Sequence, residues 1–552
     1  MDVTSVIGDY GKFQRNIFMF CLFRGFPNGL HLVVYTFFFP VVEHWCAPPD
    51  ALSGNMTTDY WKTVALPRET GLGGSVGYSS CSMFPVERVG EKLVAFKNST
   101  VPCESWQYGE SFYRHSLVQE WDLVCDSAWM RSLVQSATMA GMLVGSVLCS
   151  YLGDSAGKIV PSRPVLGYVA PLCPVCANVL QPSLLPLRWA KKAPFFHLME
   201  VVGPCKRTTT AIAFSLGFAI GLLALPAFAW VFQDWRHLQA VISVPLVIFV
   251  AWSWYLPESP RWLVATGKLK KARKVLLQAG AANNIEIKNV DSIIEQLRRK
   301  ITEQDEAAGE VNWFDLLRTR KVRRYSIILV YASMACGAVF YGLQFSVTSL
   351  GGDPYINFVL AAAAELPVCL LCYSSVRWCR RRRTMLAMFG VTGLCSVAVG
   401  LLIFAGSTVA WLRQCLGIVG KLVASASLTV IWMFAAEVFP TVLRTVGVGA
   451  CLVGTRVGAA LAPFIVELKS YTSEVVPPII LGGLFFLSAI LVLPLPETFR
   501  VALPDTLHET EGLTKSRAGD SRNNTEAPSI AVMQLLMPPS AEGPAAVKDE
   551  NV

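Results

Sequence analysis

The chain has 552 residues, of which 53% are apolar and 16% charged, with a formal net charge of +9. A typical soluble protein carries roughly 25% charged residues, so a soluble chain of this length would lack the polar surface to cover its domains. With a mean hydropathy of +0.45, the composition excludes a collagen, a disordered chain and a small disulfide scaffold, and leaves a polytopic membrane protein.

Residues 1–16 form a short N-terminal segment, and 17–39 are the first apolar run long enough to span a bilayer. That run is too long for a cleavable signal and is read as a span that stays in the fold. Residues 45–128 are a long polar stretch holding Cys46, Cys81, Cys103 and Cys125. Four cysteines allow three pairings, and sequence does not choose among them. Glycosylation sequons at Asn55 and Asn98 share the stretch. An even cysteine set and two acceptor sites between two apolar runs point to an extracellular loop. A third sequon, at Asn523, lies in the tail and is read as unused.

The next spans are 129–152, 209–232 and 237–256. Between the first two of these the pattern fails. Residues 165–187 are free of charge but hold Pro171, Pro174, Pro182 and Pro186, and an interior Pro costs a helix about 3 kcal/mol. Arg188, Lys191 and Lys192 follow, and only seven residues then separate Lys192 from Glu200; a span needs about 20. Two local motifs here are discarded. Cys173 to Cys176 is a lone CxxC without a second pair, so no metal site is expected. Gly153 to Lys158 mimics a phosphate loop but is one residue short, with Ile159 where Ser or Thr is required.

Residues 257–324 form a basic, helix-prone loop. Six spans follow, at 325–346, 355–375, 385–406, 414–435, 446–466 and 476–495, which makes ten clear spans. Residues 497–552 are a tail, polar from about 503 and expected to be mostly disordered; its apolar run 530–537 is too short to span. Basic residues cluster at 298–300, 318–324 and 380–383, each between or beside apolar runs. The positive-inside rule reads them as cytosolic rather than as nucleic-acid contacts, and puts the 257–324 loop and both termini in the cytosol.

The chain also repeats itself. Glu200 and Arg207 match Glu437 and Arg444, and Pro257-Glu258-Ser259 matches Pro496-Glu497-Thr498, at offsets of 237 and 239 residues. Two independent matches at nearly one offset argue for a duplicated six-helix unit. Residues 17–256 are then an N-terminal half that includes the 45–128 loop, and 325–496 a C-terminal half. The expected fold is all-α, two six-helix halves in the major facilitator pattern, with helices 3 and 4 of the twelve degraded.

Further motifs resemble the organic cation/anion transporters, solute carrier family 22. Gly11-Lys12-Phe13-Gln14 resembles the family's opening, and Pro40, His44 and Cys46 its exit from the first helix. Glu120-Trp121-Asp122-Leu123-Val124-Cys125 closes the loop as in the family. Asp234 to Gln239 and Pro257 to Leu263 bracket helix 6, Tyr341-Gly342-Leu343 lies in helix 7, and Glu365-Leu366-Pro367 in helix 8. Ala436 to Thr441 with Arg444 ends helix 10. The resemblance covers about residues 1–153 and 199–506. It fails after helix 2, where the family's Asp-Arg-x-Gly-Arg-Arg reads Asp154-Ser155-Ala156-Gly157-Lys158. Asp154 to Glu200 is 46 residues, against 61 from Val376 to Glu437. An atypical isoform and a divergent member both account for the shortfall.

The resemblance implies a plasma-membrane carrier of small organic ions that works by alternating access, with no nucleic-acid partner. Glu200, Arg207, Glu437, Arg444 and Asp154 are its expected gating ion pairs, bridging helices in one state and releasing in the other. An ionisable residue within a span costs several kcal/mol in lipid and is a functional hypothesis. Arg456 is the foremost: the organic anion branch carries Arg at the matching position, where the cation branch tends to carry Asp. Its bland reading is a pair with Glu365 or Glu467. Lys421, Ser425, Leu428 and Trp432 share one helix face, and Tyr341, Phe345 and Trp230 add aromatic walls. Glu365 would serve cations equally well, and Cys369 and Leu428 stand where the anion branch has Lys and an aromatic. No nucleophile–base set, metal cluster or nucleotide motif survives, so neither an enzyme nor a cofactor is expected. Transport of organic anions is the leading expectation, by uniport or by exchange against a dicarboxylate counter-ion. It competes with a non-transporting receptor or scaffold, with a protein ligand at the loop, and with cation or zwitterion transport.

Overall fold

The computed structural model describes residues 7–8, 11–40, 42–49, 57–70, 76–89, 92–109, 114–155, 204–253, 257–258, 260–287, 289–308, 313–346, 353–406, 409–440 and 443–499. Helices 3 and 4 of the twelve-helix pattern, the CxxC, Glu200, Asn55 and the tail lie outside these residues.

Each of the ten apolar runs is a helix. They are α1 (Lys12–Val33, continued by Tyr35–Phe38), α2 (Trp129–Ser155), α3 (Pro204–Val231), α4 (Trp235–Ser253) and α5 (Arg320–Ser346). Then come α6 (Pro354–Ala363, resumed as Glu365–Trp378), α7 (Arg381–Phe404), α8 (Ala410–Val438), α9 (Arg444–Tyr471) and α10 (Val476–Val492). Six of the described helices are long and apolar enough to cross a membrane, among them α5, α7 and α8. Large apolar side chains such as Leu370, Leu394 and Phe404 stand on their outer surfaces, which lipid requires and water would penalise. Helix α5 begins at Arg320 and α1 at Lys12, five residues before the apolar runs at 325 and 17. Hydropathy marks the part that lipid touches, and the helix continues into its basic flank. Helix α6 starts cleanly because Asp353 caps it, accepting from the backbone N–H groups of Tyr355 at 2.8 Å and Ile356 at 3.4 Å, with Pro354 in the first turn.

Close packing inside each half rests on glycine. On α3, a Cβ at Gly217 would strike the carbonyl of Leu22, and one at Gly221 the carbonyl of Phe26, both on α1. On α9, a Cβ at Gly454 would crowd the carbonyl of Val330, and one at Gly458 would strike that of Met334, both on α5. Small residues let helix backbones approach where lipid supplies no hydrophobic drive between helices. Gly217 and Gly454 are 237 residues apart, as are Gly221 and Gly458. The offset that relates the two Glu–Arg motifs therefore relates two equivalent helix pairs.

The 45–128 stretch adds a small mixed lobe to the all-α bundle. His44–Cys46 pairs antiparallel with Trp106–Tyr108, and Val86–Val89 with Lys92–Ala95. Trp45, Trp61, Leu66 and the Cys46–Cys103 disulfide make its core, and Trp61 donates to the Cys46 carbonyl at 2.8 Å. The second disulfide joins Cys81 to Cys125. His44 Nε2 lies 3.9 Å from Cys125 Sγ, but with both sulfurs spent on the disulfide the trio offers one metal-ligating nitrogen. Asn98 stands exposed in a turn. The lobe docks through two motifs singled out above: Glu120 accepts from Trp235 Nε1 at 2.8 Å and pairs with Arg236 at 2.6 Å. Tyr108 donates to Asp122 at 2.8 Å. Burial first, and then that carboxylate, push the Tyr108 pKa up, so the hydroxyl stays a donor.

At the opposite end, the 257–324 loop folds into helices Pro260–Ala265, Leu269–Ala282 and Val290–Ala308. The second buries Ala272, Val275, Leu276 and Ala279, one stripe at helical spacing. Asn283 ties this layer to the start of α1, donating to the Ile7 carbonyl at 2.7 Å and accepting from Phe13 N–H at 3.0 Å. A Cβ at Gly11 would collide with the Asn283 side chain, which gives the Gly11–Gln14 motif a packing reason.

Candidate functional site

Arg456 sits midway along α9 and is half-buried. Its guanidinium donates to the Tyr341 hydroxyl of α5 at 3.5 Å and lies 3.9 Å from the Met142 sulfur of α2. Thus a cation of the C-terminal half reaches across to the N-terminal half. Neither contact neutralises it: Tyr341 is a neutral acceptor and a thioether is a weak one. The Tyr341 ring lies 6.2 Å from Phe345 and 5.1 Å from Phe340. Trp432 of α8 donates to Thr455 Oγ1 at 3.4 Å, one residue before Arg456. Arg456, Tyr341 and Phe345 are therefore gathered around one region, and Trp432 packs on the α9 residue next to Arg456.

Three expected contact residues take other positions. Lys421 and Glu365 form a sealed pair within the C-terminal half, Nζ to Oε1 at 3.4 Å, with 1% and 7% of their side chains exposed. Lys421 also donates to the Ala361 carbonyl at 2.8 Å, and Ser425 donates to Glu365 at 2.6 Å. Two opposite charges buried in contact offset each other within a span. Trp230 is 65% exposed near the end of α3 and takes no part in these contacts.

Of the gating residues, Glu437 is held by Arg381 of α7, whose Nε reaches both carboxylate oxygens at 3.1 Å. Thr498 donates to the same carboxylate at 2.5 Å, and the Arg381 guanidinium lies 5.8 Å from the Phe499 ring. The cluster staples α7, α8 and the segment after α10 to one another. Arg444 opens α9, while Asp154 and Arg207 fall in the last turn of α2 and the first turn of α3. The sequence places Arg381 in a basic cluster and in the second-half counterpart of the loop after helix 2, without naming its partner. The usable signal was that three motif segments (380–383, the Glu437 motif and Pro496-Glu497-Thr498) each needed a partner.

A second ion pair went unforeseen and does cross between the halves. Arg131 at the start of α2 meets Glu467 near the end of α9 at 2.8 Å, with 16% and 13% of their side chains exposed. Ser132 donates to the Pro463 carbonyl at 3.1 Å, and Ser136 to the Ala460 carbonyl at 2.5 Å. On the other side of the bundle, Phe37 stacks on Tyr355 at 5.7 Å and packs on Phe358 at 4.9 Å. The halves are thus joined at the end that bears the disulfide lobe.

The fold defines a class, a multi-pass all-α membrane protein of two paired halves. The fold is similar to the xylose transporter from E. coli in its partially occluded inward open conformation, with a TM-score of 0.53 at 12% identity over 88% of this chain and 98% of that one. Residues 199–505 match the family model for Sugar (and other) transporter. Along nearly its whole length the chain is similar to three curated proteins. Solute carrier family 22 member 7 of Mus musculus is 30% identical, covering 95% of this chain and 99% of that one. An organic cation transporter protein of Drosophila melanogaster is 29% identical, covering 94% and 95%. Organic cation/carnitine transporter 2 of Homo sapiens is 28% identical, covering 92% and 93%. The chain belongs to solute carrier family 22, within the major facilitator superfamily.

Proposed function

We propose that this chain carries small organic ions, organic anions in preference to cations, across the plasma membrane by alternating access. The observation that carries the anion preference is Arg456: a mid-span cation at the junction of the halves, with neutral partners and an aromatic surround. In such a setting a planar guanidinium favours a carboxylate ligand. Lys421 and Glu365 offset each other and leave that charge uncompensated. On this reading the disulfide lobe with Asn55 and Asn98 faces outward, and the termini and the 257–324 layer lie in the cytosol. A glycan on Asn98 of the surface-delivered protein is the expected outcome, and its absence would overturn the orientation.

A second reading is favoured by the name of one relative. Carnitine joins a carboxylate to a quaternary nitrogen, so a zwitterion could dock its carboxylate on Arg456 while its cation stacks on Tyr341 or Trp432. One experiment separates the readings. Uptake of labelled aromatic carboxylates, carnitine and quaternary ammonium compounds is compared in cells bearing wild-type protein or Arg456→Ala at matched surface levels. Carboxylate uptake lost in the variant supports the anion reading, and carnitine uptake alone supports the second. No uptake of any compound, despite surface delivery, would sink transport and favour a receptor.

A further inference from the structure

At the end bearing the disulfide lobe, a cavity between the two halves adjoins the Arg456 region through Phe345. It is lined by Thr36, Arg131, Gln135, Phe345, Glu467 and Lys469 among others. Two observations there point to a ligand. The first is an unspent charge. Arg131 is matched by Glu467 at 2.8 Å, whereas among the described residues Lys469 has neither a hydrogen bond nor an ion pair within 4.0 Å. Counted over the lining side chains alone, Arg131, Glu467 and Lys469 leave one formal positive charge, and Glu474 is a further acid whose charge acts on Lys469. The second is Thr36, only 5% exposed, whose hydroxyl oxygen has no hydrogen-bond partner. A buried hydroxyl left unpaired is costly, and a bound group can supply the missing bond. Phe345 adds an apolar wall, and its ring lies 6.2 Å from Tyr341, whose hydroxyl contacts Arg456 at 3.5 Å.

From these contacts we infer that the cavity is an outer binding site for a monoanionic organic head group, a carboxylate or a sulfonate. Lys469 supplies the counter-charge, the Thr36 hydroxyl donates to an anion oxygen, and Phe345 packs against the apolar body. The site holds the anion one aromatic ring short of Arg456. The inference rests on the reading that organic anions are carried from the lobe-bearing side, and it assigns them a second, earlier station.

The test does not require the natural substrate. Gln135→Cys places a thiol in the cavity and leaves Lys469 and Thr36 intact. The full chain, in phosphatidylcholine vesicles, is treated from the lobe-bearing side with a thiosulfonate reagent bearing a sulfonate or one bearing a quaternary ammonium. Unsubstituted protein gives the background. The sulfonate reagent is expected to react about tenfold faster, the scale of local electrostatic attraction. Adding Lys469→Gln should abolish that preference, and Thr36→Val should reduce protection by benzoate. Equal rates for the two reagents, no reaction with either, or a preference that survives Lys469→Gln would overturn the site. Protection by added phosphatidylglycerol but not by benzoate would also overturn it, since the occupant would then be a lipid headgroup. Uptake is measured on the same preparations. Intact anion uptake without a charge preference sinks the outer site alone, and a charge preference without anion uptake sinks the transport reading.

Discussion

Arg456 is a cation whose described contacts, Tyr341 and Met142, carry no charge. A carboxylate hydrogen-bonded to it is worth about 1.5–3 kcal/mol, so Arg456→Ala should lower the affinity for a carboxylate substrate by about 10- to 100-fold. Arg456→Lys keeps the charge but not the planar fork, and should fall between the two. Concentration dependence of uptake checks both. The Lys421–Glu365 pair should behave differently. Removing one member leaves a buried charge uncompensated, at a cost of about 3–5 kcal/mol. Lys421→Met or Glu365→Leu alone should therefore empty the cell surface of mature protein, and the double substitution should restore it, as read by surface labelling. All three charges were legible in the sequence, because charges are scarce within spans. Their partners were not. Glu365 or Glu467 was the counter-ion on the bland reading of Arg456, and they pair instead with Lys421 and Arg131, since pairing depends on helix rotation and crossing, which spacing does not encode.

At the scale of elements, hydrophobic runs located each of α1 to α10, and basic flanks explain why α1 and α5 outrun them. The strands of the outer lobe were missed because they are two to four residues long, too short for an alternating pattern to register. The glycines of α3 and α9 were legible as residues but not as contacts, until the shared 237-residue offset matched two helix pairs. They yield an opposed pair of outcomes. Gly221→Ala and Gly458→Ala force a methyl against a backbone carbonyl and should destabilise by about 1–3 kcal/mol. Gly483→Ala, where an added Cβ meets nothing within 4 Å, should be neutral or stabilising by about 0.4–1 kcal/mol. Melting of the purified protein in detergent decides the sign at each position, and a loss at Gly483 equal to that at Gly458 would refute the packing account.

On the alternating-access reading of the whole molecule, the contacts between halves at the lobe-bearing end are those that must break for it to open. Arg131→Glu or Glu467→Arg alone puts like charges together and should slow uptake sharply. The exchanged double variant should recover uptake above either single change, and a double variant no better than the singles would mean that the pair does not act as a latch. The two-half fold was legible from the repeat and the loop lengths. What joins the halves was not, because Arg131 and Glu467 are 336 residues apart. The most direct test of the central claim is counterflow in proteoliposomes holding the purified full chain. Vesicles preloaded with unlabelled benzoate and diluted into trace labelled benzoate should show a transient overshoot of label, which only a carrier with one alternating site produces. Arg456→Ala should show none, and neither should a quaternary ammonium pair with the wild type. A quaternary ammonium overshoot that Arg456→Ala leaves intact, with none for any carboxylate, would contradict the account.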